Sequence, residues 1–307
     1  MEKGIRTMKK VLVICDVHGW AFDRIYQGMK KNHKNVDFDA WYLLEEQPPT
    51  DFSQYDRVLN LPDNFLGHVM DLRVKGLVSA EQLIQGVRSE VDLPMYESPK
   101  HLEMLCGTLL VSNQKLYERF KNSHPNVILW SGGVDTDFFE YKKRVRPTGK
   151  LKVGWSGSIG NFGREFRGVD MIEKAVEELS NYFEYVPAYR EDKHRNIDEM
   201  KKYYTDEIDV FVEMSLAAGR QNGLVEAASC GVPIISCNCG IAEQLIDNGK
   251  NGFLLESRTA EELRHALANI SFEGIYNKFS EEIRKTIEQN WSWGKYTNDF
   301  ENIILGK

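Results

Sequence analysis

The chain has 307 residues, a length that predicts about two domains, each large enough to bury a core of its own. Apolar residues make up 42% and charged residues 28%, a balance that excludes disordered, collagenous and coiled-coil proteins. Asp and Glu number 46 against 39 Lys and Arg, so a surface that binds polyanions over its whole extent is disfavoured, while a local basic cleft stays open.

Cysteine usage favours a reducing compartment, because five cysteines are an odd number spread along the whole chain. Cys237 and Cys239 form a C-x-C pair, but neither a second pair nor a nearby histidine completes a zinc site. We therefore expect no metal there and two small buried side chains. No stretch approaches the roughly 20 apolar residues of a membrane span, and residues 1–10 do not begin a signal peptide. The expected location is cytoplasmic, and a peripheral membrane location stays open.

The first half of the chain alternates short apolar runs with helical segments. Residues 10–15 predict a strand, the sequence DVHGW a glycine turn, and residues 21–31 a helix. Further strands are predicted at 39–44, 57–61, 83–87, 108–111 and 127–130, with the clearest helix between them at 114–122 and a surface loop at 45–53. Strands that alternate with helices predict a parallel sheet, so the chain opens as a Rossmann-like unit.

The segment YKKRVRPTGK at 141–150 is basic, contains Pro and Gly, and predicts a linker between domains. After it, strands are predicted at 151–156, 183–186, 208–213, 233–236 and 252–255, and helices at 168–180, 199–204, 223–230, 241–246 and 260–270. Two helices, 276–289 and 294–304, have no strand after them, so one of them could pack back across the boundary. The expected domains are 1–145 and 146–285, followed by a C-terminal helix at 286–307 that could pack back on the first domain.

Ligands of open α/β domains bind at the carboxyl ends of the strands, so the loops there are the candidate sites. In the first such loop, Gly19 marks a tight turn or a close approach to a ligand. His18 beside it either faces the ligand cleft, caps the following helix or lies in solvent.

The loop after the first strand of the second half reads GSIGNFGREFRG from 157 to 168. Its glycines allow backbone N–H groups to converge on a phosphate, and Arg164 and Arg167 supply guanidinium groups. The spacing fits neither the Walker lysine motif nor the dinucleotide fingerprint, so ATP hydrolysis and hydride transfer lose support.

The most informative segment is SLAAGRQNGLVEAASCGVPIISCNCGIAE at 215–243. A helix beginning near Gly223 presents N–H groups and the positive end of its dipole to a diphosphate. Glu226 in its first turn could accept two hydrogen bonds from a ribose diol, or could only complement the helix dipole. The residues alone leave both interpretations open.

Residues 200–255 resemble the donor-sugar-binding half of retaining GT-B glycosyltransferases of family 4, the glycogen-synthase-like family. About fifteen positions fall in register without a gap from Tyr204 to Gly252. The likeness extends more loosely to KVGWSGS with RGVDMIEKAV, to SGGVDTDFF before the linker, and to WSW near the end, whereas residues 36–99 resemble little.

The resemblance implies an α/β GT-B fold, in which two Rossmann-like doubly wound domains face a central cleft, with an acceptor-binding first domain and a nucleotide-sugar-binding second one. It implies that Glu226 binds the donor ribose and that Arg167 stands at the position of a phosphate-binding Lys. The expected catalytic residues are Glu226, Arg167 and Arg88. The expected donor-binding residues are Gly19, Gly157, Ser158, Arg167, Arg220, Asn222, Gly223, Leu224, Val225, Glu226 and Glu243.

Three positions depart from the family pattern. Its first paired glutamate falls at Ala218, its first-loop arginine at Ser158, and its asparagine before GVD at Gly132. Glu213 could replace the missing carboxylate, but an odd number of strand positions separates it from Ala218, which predicts the opposite face.

The acceptor-side residue of the first domain is the least defined. Where many relatives have a histidine, the strand 83–87 is followed by Arg88, Ser89 and Glu90. His68 and His101 are alternatives, each more typical of a surface histidine.

The sequence thus predicts a metal-independent glycosyltransferase that needs no cofactor. Its substrates would be a UDP- or GDP-sugar donor and a glycan, lipid-linked or small-molecule hydroxyl acceptor. The alternatives are a degenerate protein that binds nucleotide sugars without transfer, or a nucleotide-sugar epimerase on the same fold. A nucleic-acid acceptor is disfavoured because basic residues do not cluster in the first domain.

Overall fold

The computed structural model describes residues 8–62, 65–91, 99–160 and 162–305. The chain divides into two compact units, one formed by residues 1–133 with 293–307, the other by residues 134–292. The domain boundaries at 145 and 285 stay predictions, and the compact units divide the chain elsewhere. Val134 and Phe139 belong to the core of the second unit together with Ile287, which explains why the units divide where they do.

The first unit is a parallel α/β layer. Its described strands are β1 (Lys9–Cys15), β2 (Val36–Tyr42), β3 (Arg57–Asn60), β4 (Leu83–Val87), β5 (Thr108–Val111) and β6 (Val127–Leu129). The described helices between them are α1 (Ala21–Asn32), α2 (Leu66–Val74), α3 (Pro99–Leu105) and α4 (Gln114–Phe120). The described strands pair in parallel in the order β2-β1-β3-β4-β5-β6.

The second unit repeats this architecture. Its described strands are β7 (Leu151–Gly157), β8 (Phe183–Tyr189), β9 (Val210–Glu213), β10 (Ile234–Cys237) and β11 (Gly252–Leu255). The described helices are α5 (Gly163–Arg167), α6 (Val169–Glu178), α7 (Ile197–Lys202), α8 (Asn222–Ser229), α9 (Ala242–Leu245), α10 (Ala260–Ile270) and α11 (Glu273–Asn290). Within the described residues the strand order is β11-β10-β9-β7-β8, all parallel.

Burial explains why the strands form parallel sheets. Residues 11–15 of β1 are fully buried, as expected of a strand that is covered by helices on both faces. The strand β2 begins at Val36, three residues before the predicted 39. In its first residues the buried Val36 and Phe38 alternate with the exposed Asp37, a pattern that is typical of a strand. The predicted α/β class is confirmed.

A last helix, α12 (Trp293–Leu305), returns to the first unit. Phe300 is buried there and its ring centroid lies 4.7 Å from that of Trp130. A Cβ built on Gly28 of α1 would lie 2.1 Å from the ring of Trp293, so a glycine is needed where α1 and α12 meet.

Some elements were absent from the sequence-based expectation. The short helix α5 was not predicted, α2 and α3 were expected only as helical segments without bounds, and α7 continues as a π-helical turn, Tyr203–Glu207. In this turn the Tyr203 hydroxyl donates to the backbone oxygen of Val186 at 2.6 Å. Among the described helices, none is long and apolar enough to cross a membrane.

Candidate functional site

The candidate site of the second unit lies at the carboxyl ends of its parallel strands, where the loops after β7, β8, β9 and β10 come together. Such an edge is the usual ligand site of an open α/β sheet. Ser158 and Arg167 follow β7, and the start of α8 follows β9, so all three lie at this edge, and their role in donor binding stays a prediction.

The loop after β7 is organised around one carboxylate. The Ser158 hydroxyl and the backbone N–H groups of Ile159 and Gly160 donate to the same oxygen, Oε1 of Glu191, at 2.5, 3.0 and 2.9 Å. Burial alone would raise the pKa of Glu191, but these hydrogen bonds outweigh it and lower the pKa to about 2. Sequence reasoning did not find Glu191, because the contact joins loops that follow two neighbouring strands.

Arg167 ends α5 and lies half-buried beside this loop. Its Nε donates to the backbone oxygen of Ser158 at 3.2 Å, and its guanidinium lies 5.0 Å from the ring centroid of Phe162. The next residue, Gly168, has φ 69°, and a Cβ there would lie 2.2 Å from the backbone oxygen of Met214. The helix carrying Arg167 therefore closes directly against the loop after β9.

Arg258 holds the same two loops together and was missed by sequence reasoning. Its Nε donates to the Met214 oxygen at 2.6 Å, and its Nη2 donates to the Phe166 oxygen at 3.1 Å. Nothing in the local sequence around Arg258 indicates this role.

Glu213 ends β9 with its side chain buried. Its carboxylate accepts from the Ser215 N–H at 2.8 Å and from the Ser215 hydroxyl at 2.6 Å. Burial raises the pKa of Glu213, and the charge of Arg167 opposes that rise. Ala218, at the position of the missing family glutamate, is buried as well. The Glu213 carboxylate is thus hydrogen-bonded within the loop that follows β9.

Gln221 joins the loop before α8 to the loop after β10. Its Nε2 donates to the Cys239 oxygen at 3.1 Å, and its Oε1 accepts from the Ile241 N–H at 3.1 Å. Arg220 Nη1 donates to Asn222 Oδ1, so two of the expected donor residues bind each other. Gln221, which sequence reasoning missed, thus holds the loop before α8 against the loop after β10.

Glu226 is buried in α8, where Oε2 accepts from the Tyr204 hydroxyl at 3.2 Å. That hydroxyl lies 3.1 Å from Ser156 Oγ on β7. A Cβ on Gly223 would lie 2.5 Å from the same Ser156 oxygen, so glycine lets the start of α8 approach the sheet.

The other expected donor residues of this unit occupy different surroundings. Leu224 and Val225 are fully buried in the core, which leaves their backbone atoms for the expected role. Glu243 is exposed in the first turn of α9. A Cβ on Gly157, which has φ 155°, would lie 2.9 Å from the Trp155 ring. Asn161 of the glycine-rich loop lies outside the described residues.

In the first unit, Gly19 has φ 74° and its N–H donates to Asp23 Oδ2 at 2.8 Å. The Tyr42 hydroxyl donates to the other Asp23 oxygen at 2.5 Å, and the ring of His18 stacks on Tyr42 with centroids 3.3 Å apart. His18 also pairs with Glu45. The amide of Gly19, a donor-binding residue by the resemblance, is therefore already bonded to Asp23.

Arg88 is buried at the end of β4. Its two terminal nitrogens donate to the backbone oxygens of Trp130 and Ser131 at 3.0 and 2.9 Å. These bonds join the end of β4 to the residues after β6, on the far side of β5, which is a structural task, and the catalytic role of Arg88 stays a prediction. Glu90 nearby is half-buried, and burial raises its pKa.

The remaining acceptor-side candidates contribute less. His68 is exposed on α2, and its ring centroid lies 5.9 Å from that of Phe65. The side chain of His101 lies outside the described residues.

No group of three or more His, Cys, Asp or Glu side chains capable of holding a metal occurs in the part of the chain that the structure describes. All five cysteines fall within it and are buried without disulfides.

Solved structures with the same architecture decide the fold. Sucrose-phosphate synthase from Thermosynechococcus elongatus superposes with TM-score 0.72 at 12% identity, covering 97% of this chain and 98% of that one. Anabaena Alr3699/HepE in complex with UDP and glucose gives 0.71 at 11% identity, covering 97% and 100%. The chain has the GT-B fold.

In the sequence comparisons, a family model matches part of the second unit. Residues 171–271 match the family model described as Glycosyl transferases group 1. A probable sucrose-phosphate synthase from Thermosipho melanesiensis is 33% identical over 168 residues, which is 55% of this chain and 34% of that protein. The chain thus matches about a third of the length of this curated relative.

Proposed function

We propose that this GT-B protein is a glycosyltransferase that moves a sugar from a nucleoside-diphosphate sugar to an acceptor hydroxyl with retention at the anomeric carbon. The observation that carries the proposal is that Arg167, after β7, and the start of α8 with the buried Glu226, after β9, follow the carboxyl ends of two paired strands of the second sheet. The match of residues 171–271 to the group 1 glycosyltransferase model supports the same assignment.

In the proposed reaction, the bond between the anomeric carbon and the diphosphate oxygen breaks, and the oxygen keeps the electron pair. The acceptor hydroxyl oxygen bonds to that carbon, and its proton passes to the leaving diphosphate oxygen. Arg167 and the N–H groups that begin α8 stabilise the charge that grows on the diphosphate. No metal is required for this step, because a guanidinium and a helix dipole supply the positive charge.

Glu226 is assigned to the ribose of the donor. A carboxylate can accept hydrogen bonds from both ribose hydroxyls, and the Tyr204 hydroxyl, bound at 3.2 Å, fixes its orientation. Leu224 and Val225 contribute backbone atoms only, since their side chains are in the core.

A UDP-sugar is the first donor to test, because Alr3699/HepE has been solved in complex with UDP and glucose. GDP-sugars are the second. The proposed acceptor is a hydroxyl of a glycan, a lipid-linked saccharide or a small molecule. We assign acceptor binding to residues 1–145 and donor binding to residues 146–285.

Thermal unfolding against UDP-, GDP-, ADP-, CDP- and dTDP-sugars, each with Mg²⁺ or EDTA, tests the donor site. A ligand at a hundredfold excess over its dissociation constant stabilises the folded state by about 2.7 kcal/mol. We expect one nucleotide family to raise the unfolding midpoint equally with Mg²⁺ and with EDTA.

The matched variants are Glu226→Ala, Glu226→Gln and Glu184→Ala. Both Glu226 variants should lose the nucleotide-induced shift, whereas Glu184→Ala should keep it, since Glu184 is exposed near the start of β8, away from the loops. Absence of a shift with every nucleotide would refute donor binding by the second unit.

A second candidate function is binding of a nucleotide sugar without transfer. The observation that favours it is that the position of the family's first glutamate holds the buried Ala218, while the nearby Glu213 accepts from its own Ser215. Release of nucleoside diphosphate in the presence of donor and an acceptor panel separates the two functions.

A further inference from the structure

The loop after β7 already binds an anionic group of the protein itself, the side-chain carboxylate of Glu191. Oε1 of Glu191 receives the Ser158 hydroxyl at 2.5 Å, the Ile159 N–H at 3.0 Å and the Gly160 N–H at 2.9 Å. Two successive backbone N–H groups and a side-chain hydroxyl thus converge on one oxygen, and successive N–H groups of this kind form concavities that bind phosphate in proteins.

Glu191 can leave this loop at little cost to the core. Its side chain is exposed, and it belongs to the loop that follows β8, the strand at the edge of the sheet. The loops after β7 and β8 are adjacent because Gly157 and Tyr189, the last residues of these strands, are paired in the sheet. The Glu191 carboxylate therefore reaches the loop after β7 from the solvent-exposed loop at the edge of the sheet.

A phosphate that binds the same N–H groups must replace this carboxylate. Two anions cannot share donors only about 3 Å away without strong repulsion. In the structure these donors are already bonded to the Glu191 carboxylate, so a diphosphate can bind them only by displacing it.

We propose that Glu191 is an internal competitor of the donor phosphate, a latch that closes the Ser158–Gly160 anion site until a nucleoside diphosphate displaces it. This inference rests on the proposed function, since it concerns the affinity of the same donor site. The latch sets how tightly the diphosphate binds and leaves recognition of the nucleoside unchanged.

Protonation does not open the latch under ordinary conditions. The hydrogen bonds that hold Glu191 lower its pKa to about 2, so the carboxylate stays ionised from pH 5 to pH 9. Competition by another anion is the remaining route. The test therefore uses anions and a charge-removing substitution.

Isothermal titration of the full chain with UDP, inorganic pyrophosphate and uridine tests the latch in three proteins: wild type, Glu191→Gln and Glu184→Gln. Glu184→Gln removes the same charge from an exposed position near the other end of β8. We expect Glu191→Gln to bind UDP and pyrophosphate about tenfold more tightly and uridine unchanged, because a neutral amide competes less well than a carboxylate for charge-assisted hydrogen bonds. Glu184→Gln should match wild type.

Amide chemical shifts of the wild-type protein give a second readout that depends on no variant. The Ile159 and Gly160 amide resonances should move when pyrophosphate or UDP is added, and the same resonances should move in Glu191→Gln without ligand. Unchanged or weaker UDP binding by Glu191→Gln, or amides that do not respond to bound UDP, would overturn the latch and show that Glu191 only braces the loop.

The outcomes separate the latch from the proposed function. If wild type binds UDP while the two amides stay unmoved, the function stands and the latch fails. If Glu191→Gln gains affinity for pyrophosphate but no protein binds UDP, Glu191 closes an anion site, and both the latch against a nucleoside diphosphate and the donor assignment fail. If none of the three proteins binds either probe, both are refuted.

Discussion

Glu213 is a carboxyl group inside the second unit, and its environment predicts a pH-dependent stability. Burial raises its pKa in the folded state above that in the unfolded chain. A raised folded pKa means that its stabilising effect is complete below the unfolded pKa and is lost as the pH rises through the folded pKa. Wild-type stability should therefore carry a declining contribution from Glu213 between mildly acidic and alkaline pH.

Glu213→Gln should remove this decline, because the amide oxygen still accepts from Ser215 while no charge is buried. We expect the variant to gain a few degrees in unfolding midpoint relative to wild type at pH 8, since about 1 kcal/mol corresponds to roughly 2–4 °C in a domain of this size. At pH 4.5 the difference should shrink. Midpoints measured from pH 4.5 to 9, with Glu184→Gln as the control, check this, and parallel curves for all three proteins would contradict it.

At this scale the sequence identified some residues and missed others. Glu226 and Arg167 could be assigned because each lies in a local motif that resembles a known family pattern. Glu191, Gln221 and Arg258 could not, because each acts on backbone atoms 18 to 93 positions away. Local spacing contains no signal for such contacts.

Among the elements, the short helix α5 depends on its two terminal glycines in different ways. Gly163 at its start has φ 77° with no heavy atom within 4 Å of a built Cβ, whereas Gly168 after its end has φ 69° and the Met214 oxygen at 2.2 Å. Both positions strain an alanine, but only Gly168 also creates a collision with backbone.

Gly168→Ala should therefore destabilise the protein by about 2 kcal/mol or more, and Gly163→Ala by about 1 kcal/mol. Gly168→Ala should also weaken UDP binding, because Arg167 is the adjacent residue. Urea denaturation and UDP titration of both variants measure the two effects. Equal losses of stability would show that backbone conformation alone, and not the Met214 contact, makes glycine necessary.

The regular elements were more predictable than their ends. The strands β4 and β5 have the predicted bounds, and α8 begins at Asn222, one residue before the predicted Gly223. The π-helical turn after α7 was missed because Tyr203 and Tyr204 are placed by buried hydroxyl bonds to strands β7 and β8 rather than by a helical repeat.

On the scale of the whole molecule, the last helix is part of a unit that is otherwise built from the first 133 residues. Phe300 on α12 is fully buried, with the rings of Trp130 and His33 at 4.7 and 5.1 Å between centroids. The stability of the first unit should therefore depend on the end of the chain.

Phe300→Ala should cost the first unit about 3–5 kcal/mol, because it removes a buried aromatic ring and leaves a cavity. Amide hydrogen exchange should then accelerate in β1 and β2 and stay unchanged in β9 and β10. Asn302→Ala on the exposed side of α12 is the control and should leave exchange unaffected. Equal acceleration in all four strands would mean that the two units unfold together.

The sequence by itself determined the α/β class, most strands and helices, and the segment that binds the donor in our proposal. These features depend on residues that are neighbours along the chain, such as the apolar runs of the strands and the NGLVEA turn that begins α8. Only the tertiary structure decided the strand orders, the return of α12 to the first unit, the placement of Arg88 on backbone oxygens, and the carboxylate of Glu191 in the phosphate loop. Each of these joins residues far apart in sequence, and such contacts form only when parallel strands place distant loops at one edge of a sheet.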